Sequence, residues 1–511
     1  MNDPRPVVFG IEPLAIGDVV DLACGRRAAR LCEDAQVVAN WAKGAAVIEE
    51  RVRTSAPTYG VNTGFGAASG NVIPSQLAWT LAANLPRYHG CGVDPMLSLE
   101  EGRAVLAVRL ASLVQGLSGV RPLLLQRLQH LIDADIVPCI PARGSVGASG
   151  DLTPLAYIAL ALMGEAQVYF RGSVVSSKEA LAAVGKEPLA LAPKESLAIM
   201  NGTSVMTALM CLAHRRAARL GRLACALTAM AIDAIGGQVS HFDERIMLAK
   251  PHPGLVQSAA WIRADLGVGA RPAQRPGRIQ ERYSLRCAPH IIGVLLDTLD
   301  FAGRLIEIEL NGASDNPLIV PDTAEVLHGG NFYGGHVALA ADTLKNTVAN
   351  LADLMERQVV LLNDPTVNGG LGANLVGSSE ADRVSHHGFK AMEITASALT
   401  AEALKLTMPA SVFSRSTEGQ NQDKTSMGTI AARDCLAVVD LTESVAAVHL
   451  LAVCQALSLG GRTMGPGSAQ LLQAVRAQVP PLGSDRPMDN DIRTVRRMIA
   501  EGLFGSFLPS P

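Results

Sequence analysis

The chain has little from which a disulfide framework, a metal centre or a membrane span could be built. Its nine cysteines, at 24, 32, 91, 139, 211, 225, 287, 435 and 454, are odd in number and scattered, with no C-x-x-C pair. That pattern supplies neither a disulfide scaffold nor a thiolate site and suits a reducing, cytoplasmic setting. The eleven histidines include no His-x-x-x-His helix pair, so no metal is expected. His386 and His387 are adjacent and would point in different directions on a helix. The most apolar windows, Leu152–Gly164 and Val445–Leu459, fall short of the ~18 residues that suggest a span, and the second carries His449 and Gln455; both are expected to be buried helices. Met1–Pro13 has acidic residues and prolines where a secretory leader would need a positive end and an apolar stretch. Long basic runs are missing and the formal net charge is −3, so neither nucleic acid nor membrane is expected as a partner. Internal repeats and low-complexity tracts are missing as well.

What is present is a large globular chain. Its 511 residues exceed the roughly 250–300 at which a single core stops growing, and 48% apolar against 18% charged residues excludes a disordered chain. From about residue 200 onward, helical periodicity dominates. Val337, Leu344, Val348, Leu351 and Met355 follow steps of 7, 4, 3 and 4, which places them on one helical face, with Lys345 and Glu356 off that stripe. Val205–Ile235, Phe389–Leu406 and Arg433–Leu459 are similar, several of them apolar nearly all round, as in helices buried in a bundle or between subunits. The first 200 residues are more broken. Thr58–Gly70 and Arg143–Asp151 are rich in glycine and small polar residues, and Arg171-Gly172 is placed to turn a hairpin around Gln167–Val175. Loop signals recur at Pro272–Gly277, Asn311–Pro317 and Gly329–Gly335, and loops often carry function. The expected fold is mostly α, with a smaller mixed N-terminal section over residues 1–200 and a helical, oligomer-forming core over 201–511.

The chemistry concentrates in Gly144-Ser145-Val146-Gly147-Ala148-Ser149-Gly150-Asp151-Leu152-Thr153-Pro154-Leu155. In a tightly folded backbone, a glycine nitrogen can attack the carbonyl two residues upstream, and small residues permit that approach. Loss of two waters, one from the serine, leaves an exocyclic methylidene on a five-membered imidazolone. That ring is an electrophile that none of the twenty side chains offers. The tripeptide alone is a weak signal, because Ala68-Ser69-Gly70 repeats it and is expected to be an ordinary loop. The whole string distinguishes residues 148–150.

That string resembles the signature of the histidine, phenylalanine and tyrosine ammonia-lyases, the methylideneimidazolone (MIO) family. The resemblance spans roughly Pro57 to Gln455 in collinear blocks. Thr58-Tyr59-Gly60-Val61-Asn62-Thr63-Gly64-Phe65-Gly66 is similar to the family's tyrosine loop, and Asn201-Gly202-Thr203 to its Asn-Gly-Thr turn. Gln280 through Cys287 is similar to its Tyr-Ser-Leu-Arg-Cys motif. Asp315-Asn316-Pro317, Gly330-Asn331-Phe332 and Asn421-Gln422-Asp423 complete the set.

The resemblance implies an ammonia-lyase that removes the amino group and a β-hydrogen from an aromatic L-amino acid. The electrophile is 4-methylidene-imidazol-5-one formed from Ala148, Ser149 and Gly150, with no metal or external cofactor. Tyr59, in a loop with Gly60, becomes the candidate base. Its ordinary pKa of about 10 would have to be lowered by positive charge or helix N-termini for it to act at neutral pH. Arg286 would bind the substrate carboxylate through its fork of donors. Tyr283 would lie near the electrophile, Asn201 would hydrogen-bond it, and Gln280, Asn331 and Phe332 would line the pocket. For substrate choice, Tyr88-His89 is similar to the histidine lyases, which however carry a glutamate where this chain has Gln422. Lys390 and Glu418 match positions seen in phenylalanine lyases, and Asn421-Gln422-Asp423 has their spacing, but those lyases usually have an apolar leucine where His89 stands. A phenolic hydroxyl bonded by His89 would favour tyrosine. The order expected is tyrosine, phenylalanine, then histidine, with histidine ammonia-lyase or a tyrosine/phenylalanine 2,3-aminomutase as alternatives. The partners implied are a small aromatic amino acid and the chain itself, as a homotetramer whose active sites each draw on three subunits.

Overall fold

In the computed structural model, which describes residues 5–267, 279–502 and 504, the chain is mostly helical, as expected. The expected stripe falls on a helix, Gly335–Asn363, and all five stripe residues are buried. The other long helices are Ser204–Ile235, Ala288–Leu310 and Gly428–Gly460, and the shorter Lys390–Lys405 falls on the expected Phe389–Leu406 segment. Lys345 and Glu356, off the stripe, are buried too. The helix is covered on more than one side, with His336, Leu339, Asn346, Asn350 and Arg357 along its exposed side, and Lys345 Nζ donates to the Met408 carbonyl at 2.8 Å with Asp434 3.5 Å away. Gly428–Gly460 is long and apolar enough to cross a membrane, but 83% of its most apolar window is covered by protein. The Pro272–Gly277 loop signal lies outside the described residues.

The chain divides into two compact units, each made of three stretches. One comprises Met1–Arg215, Ala302–Asp342 and Pro409–Arg433; the other comprises Arg216–Phe301, Thr343–Met408 and Asp434–Pro511. Four of the five boundaries fall inside long helices, and the fifth, between Met408 and Pro409, falls in a turn, so compactness does not follow sequence order.

Among the described residues, all strands belong to the first unit. Val7–Phe9 pairs in parallel with Ala29–Leu31, and Val93–Met96 pairs antiparallel with Pro141–Arg143. The Gln167–Phe170 and Ser173–Ser176 strands form the expected hairpin, with Phe170 opposite Ser173. Arg171 and Gly172 take φ of +50° and +79°, the left-handed pair that a two-residue hairpin turn of matching twist requires. The Leu99–Leu113 helix begins with a capping box, in which Ser98 Oγ accepts from the Glu101 amide and Glu101 accepts from the Ser98 amide. Such a cap contributes about 1 kcal/mol. From Ala104 to Leu113 every residue is buried, Arg109 among them.

Candidate active site

Residues 144–151 join the Pro141–Arg143 strand to the Leu152–Leu162 helix. Ser149 takes φ +54° and Gly150 +75°. The left-handed region costs a residue with a Cβ roughly 1–2 kcal/mol, so the surroundings must hold Ser149 there. A Cβ on Gly150 would lie 2.2 Å from the Gly202 carbonyl oxygen, an approach that only glycine permits. The same carbonyl accepts the Asp151 N–H at 2.7 Å. Two neutral amides converge on Ser149: Asn201 Nδ2 donates to its carbonyl oxygen at 3.0 Å, and Gln422 Nε2 donates to its Oγ at 3.0 Å. Thr417 Oγ1 donates to Gln422 Oε1 at 2.8 Å, which fixes the direction in which that amide points.

Behind the loop lies a buried electrostatic cluster. Asp151 is fully buried and accepts the Val205 and Met206 amides, each at 2.9 Å, and the Thr429 hydroxyl. These amides belong to the first turn of the Ser204–Ile235 helix, where unpaired donors favour a carboxylate. Burial pushes the Asp151 carboxyl up to about 6, with the Thr429 hydroxyl and the two amides opposing the rise. Arg109, fully buried, donates to Ser204 Oγ at 3.4 Å and to the Ser314 carbonyl at 3.1 Å. Burial lowers its pKa to about 10, while Asp315 and Asp151 favour the charged form. Lys194, also fully buried, donates to Asp315 at 2.5 Å; burial lowers its pKa, and the Asp315 pairing opposes that.

The tyrosine loop stands in the same unit. Asn62 Oδ1 accepts the Thr58 amide at 2.8 Å, and Asn62 Nδ2 donates to the Ala56 carbonyl at 3.1 Å. Gly60 is buried against Leu197. The Gly66 amide donates to the Tyr59 hydroxyl at 3.1 Å, and the Ala67 amide to Glu418 at 3.1 Å. Burial raises the Tyr59 pKa and the Glu418 charge raises it further, with the Gly66 amide opposing. Within this unit the phenol is therefore held protonated rather than primed as a base. Tyr88 and His89 end the Ala78–His89 helix with their rings 4.6 Å apart. Burial lowers the His89 pKa, partly offset by Glu418, which leaves a neutral imidazole at pH 7.

Asn331 is tied in through its carbonyl, which accepts from Ser314 Oγ at 3.0 Å; its side chain is exposed, and Phe332 is half-buried. Asn421 is exposed, and its amide donates to the Glu418 carbonyl. Gln280, Tyr283, Arg286 and Lys390 belong to the other unit. There the Arg286 guanidinium carbon lies 4.4 Å from the Tyr283 ring centre, and Arg286 Nε donates to the Glu281 carbonyl at 3.1 Å. Tyr283 is 71% exposed. Gln280 is exposed, as is Lys390, which begins a separate helix, Lys390–Lys405.

Thr429, Thr417, Arg109 and Lys194 did not stand out in the sequence as site residues. For Arg109 a signal existed: one arginine inside the otherwise apolar run Ala104–Ala111 must be paired if that run is buried. Among the described residues, no group of three or more His, Cys, Asp or Glu is arranged to hold a metal ion.

The model of the family described as "Aromatic amino acid lyase" matches residues 14–477. Histidine ammonia-lyase of Aromatoleum aromaticum is 40% identical over 471 residues, covering 92% of this chain and 89% of that protein. Tyrosine ammonia-lyase of Cereibacter sphaeroides is 38% identical over 462 residues, 86% and 88% respectively. The crystal structure of tyrosine aminomutase from Streptomyces globisporus superposes with a TM-score of 0.91 at 35% identity, covering 98% of both chains. With the family model spanning most of its length and relatives similar nearly end to end, this chain belongs to the aromatic amino acid lyases, a family of carbon–nitrogen lyases.

Proposed function

We propose that this chain eliminates ammonia from an aromatic L-amino acid, tyrosine first and phenylalanine second, through an electrophile made from Ala148, Ser149 and Gly150. One observation carries the proposal: Ser149 sits in a left-handed conformation with one amide on its carbonyl and another on its hydroxyl. These residues fit the group. Gly150 has no Cβ to obstruct it against Gly202, Asn201 would hold the ring carbonyl, and Gln422 stands on the hydroxyl that must leave.

The ring-forming steps balance without an outside reagent. The Gly150 nitrogen bonds to the Ala148 carbonyl carbon, and that oxygen departs as water with the protons of the Gly150 and Ser149 nitrogens. Ser149 then loses its Cα proton and its hydroxyl as a second water. Asn201, by donating to the Ser149 carbonyl, favours the negative charge that builds there as the Cα proton leaves. The finished heterocycle supplies the electrophile that makes the substrate's β-hydrogen removable.

Tyr59 is the proposed base for that hydrogen. Its raised pKa within the single chain means that cationic groups must reach it before it can act at neutral pH. A homotetramer whose sites draw on three subunits would provide them, and the exposed apolar side chains of Ile308, Leu339, Ile394 and Val412 support assembly. Arg286 is the proposed carboxylate fork, with Tyr283, Gln280, Asn331, Phe332, Lys390 and Asn421 around the substrate. Tyrosine is favoured because a neutral His89 can accept a phenolic hydrogen bond, and because Gln422 is an amide already engaged by Ser149 and Thr417. Relatives named histidine ammonia-lyase at 40% and 39% identity favour a second reading, histidine to urocanate. Incubation with tyrosine, phenylalanine and histidine separately, following coumarate, cinnamate and urocanate by absorbance, decides among them. Coumarate should form fastest; urocanate alone would install the second reading, a β-amino acid product would make the chain an aminomutase, and silence on all three would remove the proposal.

A further inference from the structure

The buried arginine behind the electrophile loop has no part in the elimination itself, yet it is built into the turn against which that loop is pressed. The Arg109 terminal nitrogen stands where a side chain on Gly202 would be: a Cβ there would lie 2.1 Å from it and 2.7 Å from the Ser314 carbonyl oxygen. Arg109 donates to Ser204 on one side of the turn and to the Ser314 carbonyl on the other. One helical turn further along the same helix, Ser112 Oγ accepts the Ser314 amide at 2.9 Å. Ser314 Oγ in turn accepts the Thr203 amide at 3.2 Å. The Leu99–Leu113 helix thus grips Ser314 at both backbone polar groups, and through it the Asn201–Thr203 turn. Lys194 pairs with Asp315 next in sequence, which ties down the same segment.

On this geometry we propose that Arg109 is the positioning residue for backbone cyclisation at residues 148–150, holding the Gly202 carbonyl against Gly150 and the Asn201 amide on the Ser149 carbonyl. The proposal rests on the electrophile reading above. Arg109 touches neither substrate nor the reacting atoms; it acts through the turn. The physical need is plain, since a linear peptide has to keep Ser149 and Gly150 in left-handed conformations long enough for a nitrogen to close on a carbonyl carbon. A buried guanidinium bonded to two segments resists the relaxation that would release them.

The test is the mass of the peptide spanning residues 148–150, taken from the full-length protein, with Arg109→Met and Arg109→Lys compared against the unsubstituted chain. Helix content and assembly are measured on the same samples. The unsubstituted chain should lack two waters. Arg109→Met should be folded and assembled but two waters heavier in most molecules, whatever its catalytic rate. Arg109→Lys, which keeps the charge but not the fork, should lose the waters more slowly after refolding than the unsubstituted chain; it also serves as the test if the methionine variant does not fold. Complete dehydration of a folded Arg109→Met, or dehydration of Arg109→Lys at the unsubstituted rate, overturns the inference while leaving the electrophile intact. An undehydrated peptide in the active unsubstituted chain overturns the electrophile reading itself, and the inference with it.

Discussion

Residues 68–70 and 148–150 are both Ala-Ser-Gly, and the molecule treats them differently. Ser69 follows a short 3-10 turn with φ −59° and is exposed, and nothing lies within 4 Å of where a Cβ on Gly70 would stand. Ser149 is left-handed and half-buried, Gly150 is pressed on Gly202, and two amides reach the serine. The two copies are even served by one short segment: Glu418 holds the Ala67 amide beside the first, and Gln422 donates to the Ser149 hydroxyl of the second. Composition is therefore neutral about the chemistry. What separates the copies is enclosure, which turns a tripeptide that would sample many shapes into one held in a single shape.

The comparison can be broken most directly at the serines. Ser149→Ala should lower turnover by roughly 10³-fold or more, because the electrophile supplies much of an enzymatic acceleration that is typically at least about 10⁶. The mass of the peptide should then lack no water from residue 149, while Ser69→Ala leaves both rate and mass unchanged. Full activity in Ser149→Ala would mean that the two copies are chemically equivalent after all.

The glycines sharpen it next. Gly150→Ala forces a Cβ into a left-handed residue and onto the Gly202 carbonyl, a combination expected to cost about 2–5 kcal/mol. Gly70→Ala meets open space at an ordinary φ and should be neutral or stabilise by about 0.4–1 kcal/mol through the unfolded chain. Denaturant titration of both variants measures the difference, and equal effects would remove the claim that only the second copy is enclosed.

The smallest effect concerns the shared segment. Glu418 raises the Tyr59 pKa, so Glu418→Gln should lower it. If Tyr59 is the base, the acidic limb of kcat/KM should move to lower pH, by less than about one unit, with the 148–150 peptide still fully dehydrated. A limb that moves to higher pH would show that Glu418 acts on a different group.

Much of this was readable in the chain beforehand. Apolar spacing placed the Gly335–Asn363 and Ser204–Ile235 helices, and the hairpin at Arg171-Gly172 followed from two residues that tolerate positive φ. Family resemblance names Asn201 as a partner of the electrophile built on Ser149, whereas it puts Gln422 only beside the substrate; the bond from Gln422 to Ser149 Oγ emerges from the structure alone. Burial off a stripe was not readable: Lys345 breaks the periodic pattern yet is covered, because its helix is enclosed on more than one side. Nor were the partners of the cluster, since Arg109 meets Ser314 from 205 residues away and Thr429 meets Asp151 from 278. Single-residue polarity says that such groups need partners and is silent about which. The expected division at residue 200 follows sequence order, whereas the compact units are each assembled from three separate stretches, because long helices pass the chain from one unit to the other and back.

That interleaving bears on when the protein becomes competent. The donor to the Ser149 hydroxyl arrives 273 residues later in the chain, and the grip on Asn201 depends on Ser314. A nascent polypeptide released from the ribosome short of residue 422 would carry the whole Ala-Ser-Gly string and most of its scaffold, yet leave the serine hydroxyl without its donor. Contacts between residues so far apart in the chain form slowly. Under the proposed cyclisation, ring closure would wait until residue 422 has been made, and a shorter product would keep the linear peptide.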